Sequence, residues 1–149
     1  MVTNQIKKEK PKILFLCTGN SCRSQMAEGF ANHFGRFVAY SAGVKIHELN
    51  PYAIEVMREL EIDISHHQSK HVDSLKNLTF DYVITVCNHA YETCPLYLKK
   101  SKILHVRFDD PPQITKGLKS KKEILFHYRR VRDEIKNFVE KLPKQIIKN

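Results

Sequence analysis

An unbroken apolar run, Lys12-Ile13-Leu14-Phe15-Leu16, leads without a linker into the polar segment Cys17-Thr18-Gly19-Asn20-Ser21-Cys22-Arg23-Ser24. A strand with one wet face alternates polar and apolar residues. A run without alternation suits a strand covered on both faces, as in parallel sheets. From Ser24 onward, Met26, Ala27, Phe30, Ala31 and Phe34 recur at helical spacing until Gly35 stops the run. The opening unit is therefore strand, tight polar loop, helix.

The same alternation continues downstream. Phe37-Val38-Ala39-Tyr40-Ser41 is short and β-prone, and Ala42-Gly43 ends it. Asn50-Pro51 reads as an N-cap followed by proline in the first turn of a helix, with Ala53, Ile54, Met57 and Leu60 on its apolar face. Residues 72–78 read as a short helix. Tyr82-Val83-Ile84-Thr85-Val86 is a near-continuous apolar strand ending at Cys87, and Ile103-Leu104-His105-Val106 is a further strand candidate, ending at Phe108-Asp109-Asp110-Pro111-Pro112. Leu125, Tyr128, Val131, Ile135, Phe138, Val139 and Leu142 mark a long amphipathic helix. Buried strands alternating with helices predict an α/β domain with a mostly parallel sheet. No internal boundary interrupts it, so residues 1–149 form one domain, with a polar extension at 1–11 and a basic tail at 143–149.

Composition narrows the classes. A chain of 149 residues with 42% hydrophobic content supports a full core and argues against disorder. No apolar run approaches the ~20 residues needed to span a bilayer, and the first twelve residues lack the apolar stretch of a secretory signal. A cytoplasmic protein with no membrane partner is expected. The formal net charge of +9 is uneven: from Thr115 onward, eleven Lys or Arg face four Asp or Glu. A solvated helix face is the expected role of that segment, with nucleic acid not expected as a partner.

Ligands of open parallel sheets bind beyond the carboxyl ends of the strands, and Cys17, Cys87 and Asp109-Asp110 each follow a predicted strand. The first of these segments has the form Cys-x5-Arg-Ser. Backbone amides of the turn, with a helix N-terminus behind them, make a concave anion site from Thr18, Gly19, Asn20, Ser21, Cys22 and Ser24. Gly19 and Asn20 are the residues best able to take left-handed backbone angles there. Arg23 offers a planar fork to two oxygens of a phosphate-like ion. A thiol at that helix end, beside a cation, is favoured as thiolate, which makes Cys17 the candidate nucleophile. Ser24 is placed to donate to it, and Cys22 is expected only to pack.

This segment, continued through Gln25-Met-Ala-Glu-Gly29, resembles the active-site segment of thioredoxin-coupled arsenate reductases, which share the low-molecular-weight tyrosine phosphatase fold. The likeness extends through Tyr40-Ser-Ala-Gly43, Asn50-Pro51, Ile62-Asp-Ile-Ser65, the Cys87/Cys94 pair, Phe108-Asp-Asp-Pro111 and Arg130-Val-Arg-Asp-Glu-Ile135. It implies a four-stranded parallel sheet with helices on both sides. Phosphatases of this fold usually carry Ile, Pro and Tyr where this chain has Ser21, Gln25 and Pro112, so the resemblance favours a reductase over a tyrosine phosphatase. A third reading is a non-enzymatic oxyanion or nucleic-acid binder.

Reduction of arsenic(V) needs two electrons, which a thiol pair can supply. The implied relay runs from Cys17 to Cys87 to Cys94, with Asp110 as general acid because it precedes Pro111, and Asp109 supporting the loop. Arsenate is the expected substrate, with phosphate or sulfate competing, and thioredoxin or another dithiol carrier the reductant; no cofactor is expected, and the chain is expected to be a monomer. Zinc held by Cys87, His89 and Cys94 with one of His66, His67 or His71 is the competing use of that stretch, disfavoured by its spacing. Several arsenate reductases hold potassium beside the loop, at positions matching Asn20, Glu28, Ser41 and an aspartate. Here the aspartate's position is Lys70, which cannot ligate a cation. Its ammonium is expected to pair with Glu28 instead, and no metal is expected.

Overall fold

The computed structural model describes residues 9–147. Four parallel strands form the sheet: β1 (Lys12–Cys17), β2 (Val38–Gly43), β3 (Tyr82–Thr85) and β4 (Lys102–His105), in the order β2-β1-β3-β4. Five helices accompany them: α1 (Arg23–Phe34), α2 (Pro51–Arg58), α3 (Asn88–Glu92), α4 (Pro111–Ile114) and α5 (Lys121–Ile147). Ile13, Leu14, Phe15 and Leu16 are all fully buried. Both faces of β1 are covered, as its unbroken apolar run demands.

From β1 the chain steps to β2 on one side, then crosses back to β3 on the other. Helix α5 packs on both α1 and α2, and Met57 of α2 lies against Gly29 of α1. The connections diverge between β1 and β3, which opens a crevice at their carboxyl ends. Cys17 ends β1, and Cys87 lies two residues past β3.

Helix α1 ends at Gly35 in the left-handed conformation. Asn50 caps α2 through its side chain, which accepts from the amides of Tyr52 and Ala53. Helix α5 is tied to α2 by Arg132, whose Nη1 donates to the Val56 carbonyl at 2.9 Å and to Glu59 Oε1 at 2.8 Å. Arg129 forks onto Glu59 as well, and its hydrogen bond holds that carboxyl below its usual range. Lys121, Arg130 and Lys136 also pair with acidic partners, Lys121 with Glu55 of α2 and the other two within α5.

Several boundaries differ from the sequence reading. Ala42 and Gly43 continue β2 instead of ending it, and Gly43 sits opposite Cys17. Leu60 lies beyond α2, where Glu61 adopts φ 61° and the Ile62 amide bonds the Met57 carbonyl. The helix expected at 72–78 is a 3-10 turn, Val72–Leu75. There the Ser74 hydroxyl donates to the His71 carbonyl at 2.7 Å, a local bond that competes with α-helical pairing. The tail assigned to 143–149 is helical as far as Ile147, because Ile146 falls one turn beyond Leu142 on the same buried stripe. Residues 1–8 of the polar extension and 148–149 of the tail lie outside the described residues.

Candidate active site

The loop after β1 curls around the Cys17 sulfur. Cys17 Sγ lies 2.8 Å from Ser24 Oγ and accepts from the Asn20 amide at 3.3 Å. No side chain caps α1 at Cys22, which leaves first-turn amides facing the bowl, the arrangement that suits an anion. Asn20 takes the left-handed angle, φ 53°. Gly19 does not, contrary to the sequence reading. At position 19 the constraint is contact: a Cβ would lie 2.3 Å from Nδ1 of the exposed His47 side chain, which would have to turn aside. Gly43 is required more strictly, because backbone blocks it: a Cβ there would meet the Asn20 amide and the Thr18 carbonyl at 2.8 Å each.

Arg23 projects from the first residue of α1 and is 10% exposed. Its Nη1 donates to the Phe108 carbonyl at 3.1 Å, and Nη2 lies 3.6 Å from Asp110 Oδ1. The two aspartates after β4 diverge. Asp110 reaches the bowl, while Asp109 accepts from Arg130 at 3.1 Å. The bowl is a cavity of about 410 Å3 lined by Cys17, Thr18, Gly19, Ser21, Cys22, Arg23, His47, Asn50, Asp110, Pro112 and Gln113. Burial pushes the Cys22 thiol well up, so it stays neutral beside Cys17.

Behind the loop lies a buried polar network. Asn20, fully enclosed, donates through Nδ2 to Ser24 and Ser41 at 2.9 Å each, and its Oδ1 accepts from Gln25 Nε2 at 3.0 Å and the Lys70 amide at 2.9 Å. Gln25 also donates to the Gln68 carbonyl and meets His67 Nδ1 at 2.9 Å. A proline at position 25 could make none of these contacts. Ser41 donates to Glu28 at 2.6 Å, and Lys70 Nζ lies 4.0 Å from the same carboxylate oxygen. Burial pushes the His67 imidazole below its usual value, against the pull of Glu28. With an ammonium at Glu28, the residues present do not fit a bound potassium ion.

The second thiol enters from β3. Cys87 Sγ lies 3.1 Å from Thr18 Oγ1, so it touches the wall of the loop that holds Cys17, and it accepts from the Ala90 amide at the start of α3. Cys94 stands apart. It is half-buried beside Tyr91, Glu92, Lys99 and Ile103, in a separate cavity, and burial raises its thiol above the usual value. All four cysteines are free thiols. Among the described residues, no three His, Cys, Asp or Glu side chains gather as a metal would need; the histidines proposed to join Cys87 and Cys94 are not brought to them.

Sequence reasoning missed His47 and Asn50 as lining residues. Asn50 announced itself only as a cap; its Nδ2 donates to Tyr128, whose hydroxyl burial pushes up to about 12. No local pattern marks His47, which reaches the bowl through a loop whose amide bonds the Gly19 carbonyl.

Fold and site together define a cysteine-centred oxyanion site at the switch point of a small parallel sheet. Residues 12–149 match the family model described as low molecular weight phosphotyrosine protein phosphatase. An arsenate reductase of Shouchella clausii is 48% identical over 130 residues, 85% of this chain and 90% of that one. An arsenate reductase of Bacillus subtilis is 45% identical over 131 residues, 87% and 92% respectively. A solved arsenate reductase in the phosphate binding state superposes with a TM-score of 0.75 at 31% identity, covering 91% of this chain and 98% of the other. The chain belongs to the arsenate reductase family built on the low molecular weight phosphotyrosine protein phosphatase fold.

Proposed function

We propose that this protein reduces arsenate to arsenite through a Cys17–Cys87–Cys94 thiol relay. The observation that carries this reading is the Thr18–Cys87 contact at 3.1 Å, a second thiol against the wall of the Cys17 loop. A phosphatase has no use for one.

In the proposed sequence, arsenate sits on the loop amides and Arg23, and the Cys17 thiolate attacks arsenic. Asp110 protonates the departing hydroxyl, which leaves as water. The Cys87 thiolate then attacks the Cys17 sulfur. The sulfur–arsenic bond breaks with its electron pair on arsenic, releasing arsenic(III) as arsenite and leaving a Cys17–Cys87 disulfide. Cys94 attacks Cys87, freeing Cys17 and moving the disulfide to Cys87–Cys94. Two electrons from thioredoxin or another dithiol carrier restore the pair. Phosphate and sulfate compete for the loop. The Glu28–Lys70 pair braces the loop from behind, with no potassium required, and the enzyme works as a cytoplasmic monomer. Among the described residues no helix is long and apolar enough to cross a membrane.

The deciding experiment couples the protein to thioredoxin, thioredoxin reductase and NADPH. Arsenate-dependent NADPH oxidation is expected. Brisk phosphoester turnover without any thiol, and no arsenate-dependent oxidation, would identify a phosphatase instead.

A further inference from the structure

Between Cys87 and Cys94 the chain folds into α3. At about 1.5 Å of rise per residue, a helical path would hold the two Cα atoms about 10 Å apart. A disulfide needs roughly 4.4–6.8 Å. Transfer of the disulfide to Cys94 therefore requires α3 to open, and whatever holds α3 closed governs that step.

One side chain from β4 grips it. His105 Nε2 lies 3.0 Å from Asn88 Oδ1, at the first residue of α3. Its Nδ1 lies 2.8 Å from Thr85 Oγ1, a fully buried hydroxyl at the end of β3. The imidazole also packs on Tyr91, with ring centroids 4.7 Å apart and planes tilted by 35°. The neutral ring satisfies both polar contacts in a single tautomer: Nε2–H donates to Asn88, and Nδ1 accepts from Thr85. His105 thus joins the sheet to both ends of a five-residue helix that has little packing of its own. Its outer neighbour Tyr91 is 54% exposed.

We propose that His105 is a positioning residue of the relay, a latch that keeps α3 closed over Cys87 until Cys94 is needed. The inference rests on the relay proposed above. Releasing the latch speeds closure of the Cys87–Cys94 disulfide, because the open form of α3 becomes more populated. Losing one or two such hydrogen bonds corresponds to an increase of about three- to tenfold.

Two readouts on the full chain test it: hydrogen exchange at the Tyr91 and Thr93 amides, which bond the Cys87 and His89 carbonyls, and the rate of Cys87–Cys94 disulfide formation after mixing reduced protein with arsenate. His105→Ala is expected to raise both, leaving exchange at the Val86 amide in the sheet unchanged. His105→Gln, which keeps a donor for Asn88, is expected to recover part of the protection. Should His105→Ala fail to fold, Asn88→Ala removes the Nε2 partner alone and is read the same way. Unchanged exchange in α3, or slower closure, in a folded variant overturns the latch. Absence of any Cys87–Cys94 disulfide in the wild-type protein sinks the relay itself, whatever the exchange shows.

Discussion

The loop around Cys17 and the segment around Cys94 carry the same functional group in opposite settings. Cys17 is 3% exposed and held by two hydrogen bonds, with Asn20, Ser24 and Gln25 behind it wholly enclosed. Cys94 follows a five-residue helix, and nearby Leu96 is 80% exposed. The contrast matches what the proposed relay asks of each. Stabilising charge on an oxyanion rewards donors that are fixed beforehand. Passing a disulfide across a distance rewards a segment that can open at low cost. On the proposed relay, one thiol sits in a preformed bowl and the other on a hinge, and Cys87 belongs to both, touching the loop through Thr18 and capping α3.

The sharpest way to break this division is to remove its thiols one at a time. Cys17→Ser is expected to abolish arsenate reduction and phosphoester cleavage together, by about 10⁴-fold or more, since nothing else can serve as nucleophile. Cys87→Ser and Cys94→Ser keep a weak phosphoesterase activity, because the bowl is intact. Cys94→Ser completes one turnover and accumulates the Cys17–Cys87 disulfide, visible by peptide mapping. Sustained turnover of that variant with thioredoxin alone would abolish the distinction between bowl and hinge.

The rigidity of the bowl has its own measure. Asn20→Ala removes four side-chain bonds from a buried network and places alanine at φ 53°. A loss of about 3 kcal/mol is expected, read from the urea midpoint at constant slope. A loss under about 0.5 kcal/mol would mean that the network is not what holds the loop.

On the hinge side, pH is the lever. Burial raises the Cys94 thiol above its ordinary value, so near neutrality it is mostly protonated. Only the thiolate attacks, and its fraction grows about tenfold per pH unit below the pKa. The rate of Cys87–Cys94 closure should climb steadily from pH 7 to 9 and fall as the medium is acidified. A flat profile in stopped-flow quenching would show that helix opening, not thiol ionisation, limits the step.

The smallest expected effect is none at all. With Lys70 Nζ already 4.0 Å from Glu28, potassium and sodium at equal ionic strength should give the same melting temperature, since general screening treats them alike. Lys70→Asp should create a potassium-specific rise. Wild-type protein stabilised by potassium and not by sodium contradicts the bracing role of Lys70.

Local pattern alone identified the strand-loop-helix unit, the Cys-x5-Arg-Ser segment and the parallel sheet. Each rests on residues adjacent in the chain: hydrophobic runs specify buried strands, and a turn of amides before a helix is an anion site wherever it occurs. The tertiary structure decided what depends on residues far apart. Gly43 is explained only by the Asn20 amide and Thr18 carbonyl, more than twenty residues back, which leave no room for a Cβ. Gln25 gains its role from Asn20, Gln68 and His67, and Thr18 from Cys87, none of which a periodicity can register. Asp109 and Asp110 are neighbours in sequence, yet packing sends one to Arg130 and the other to Arg23. Hydrophobic pattern sets which segments meet because burial depends on the sum of many interchangeable side chains. Which polar atoms then touch depends on single distances of about 3 Å, and only the assembled core sets those.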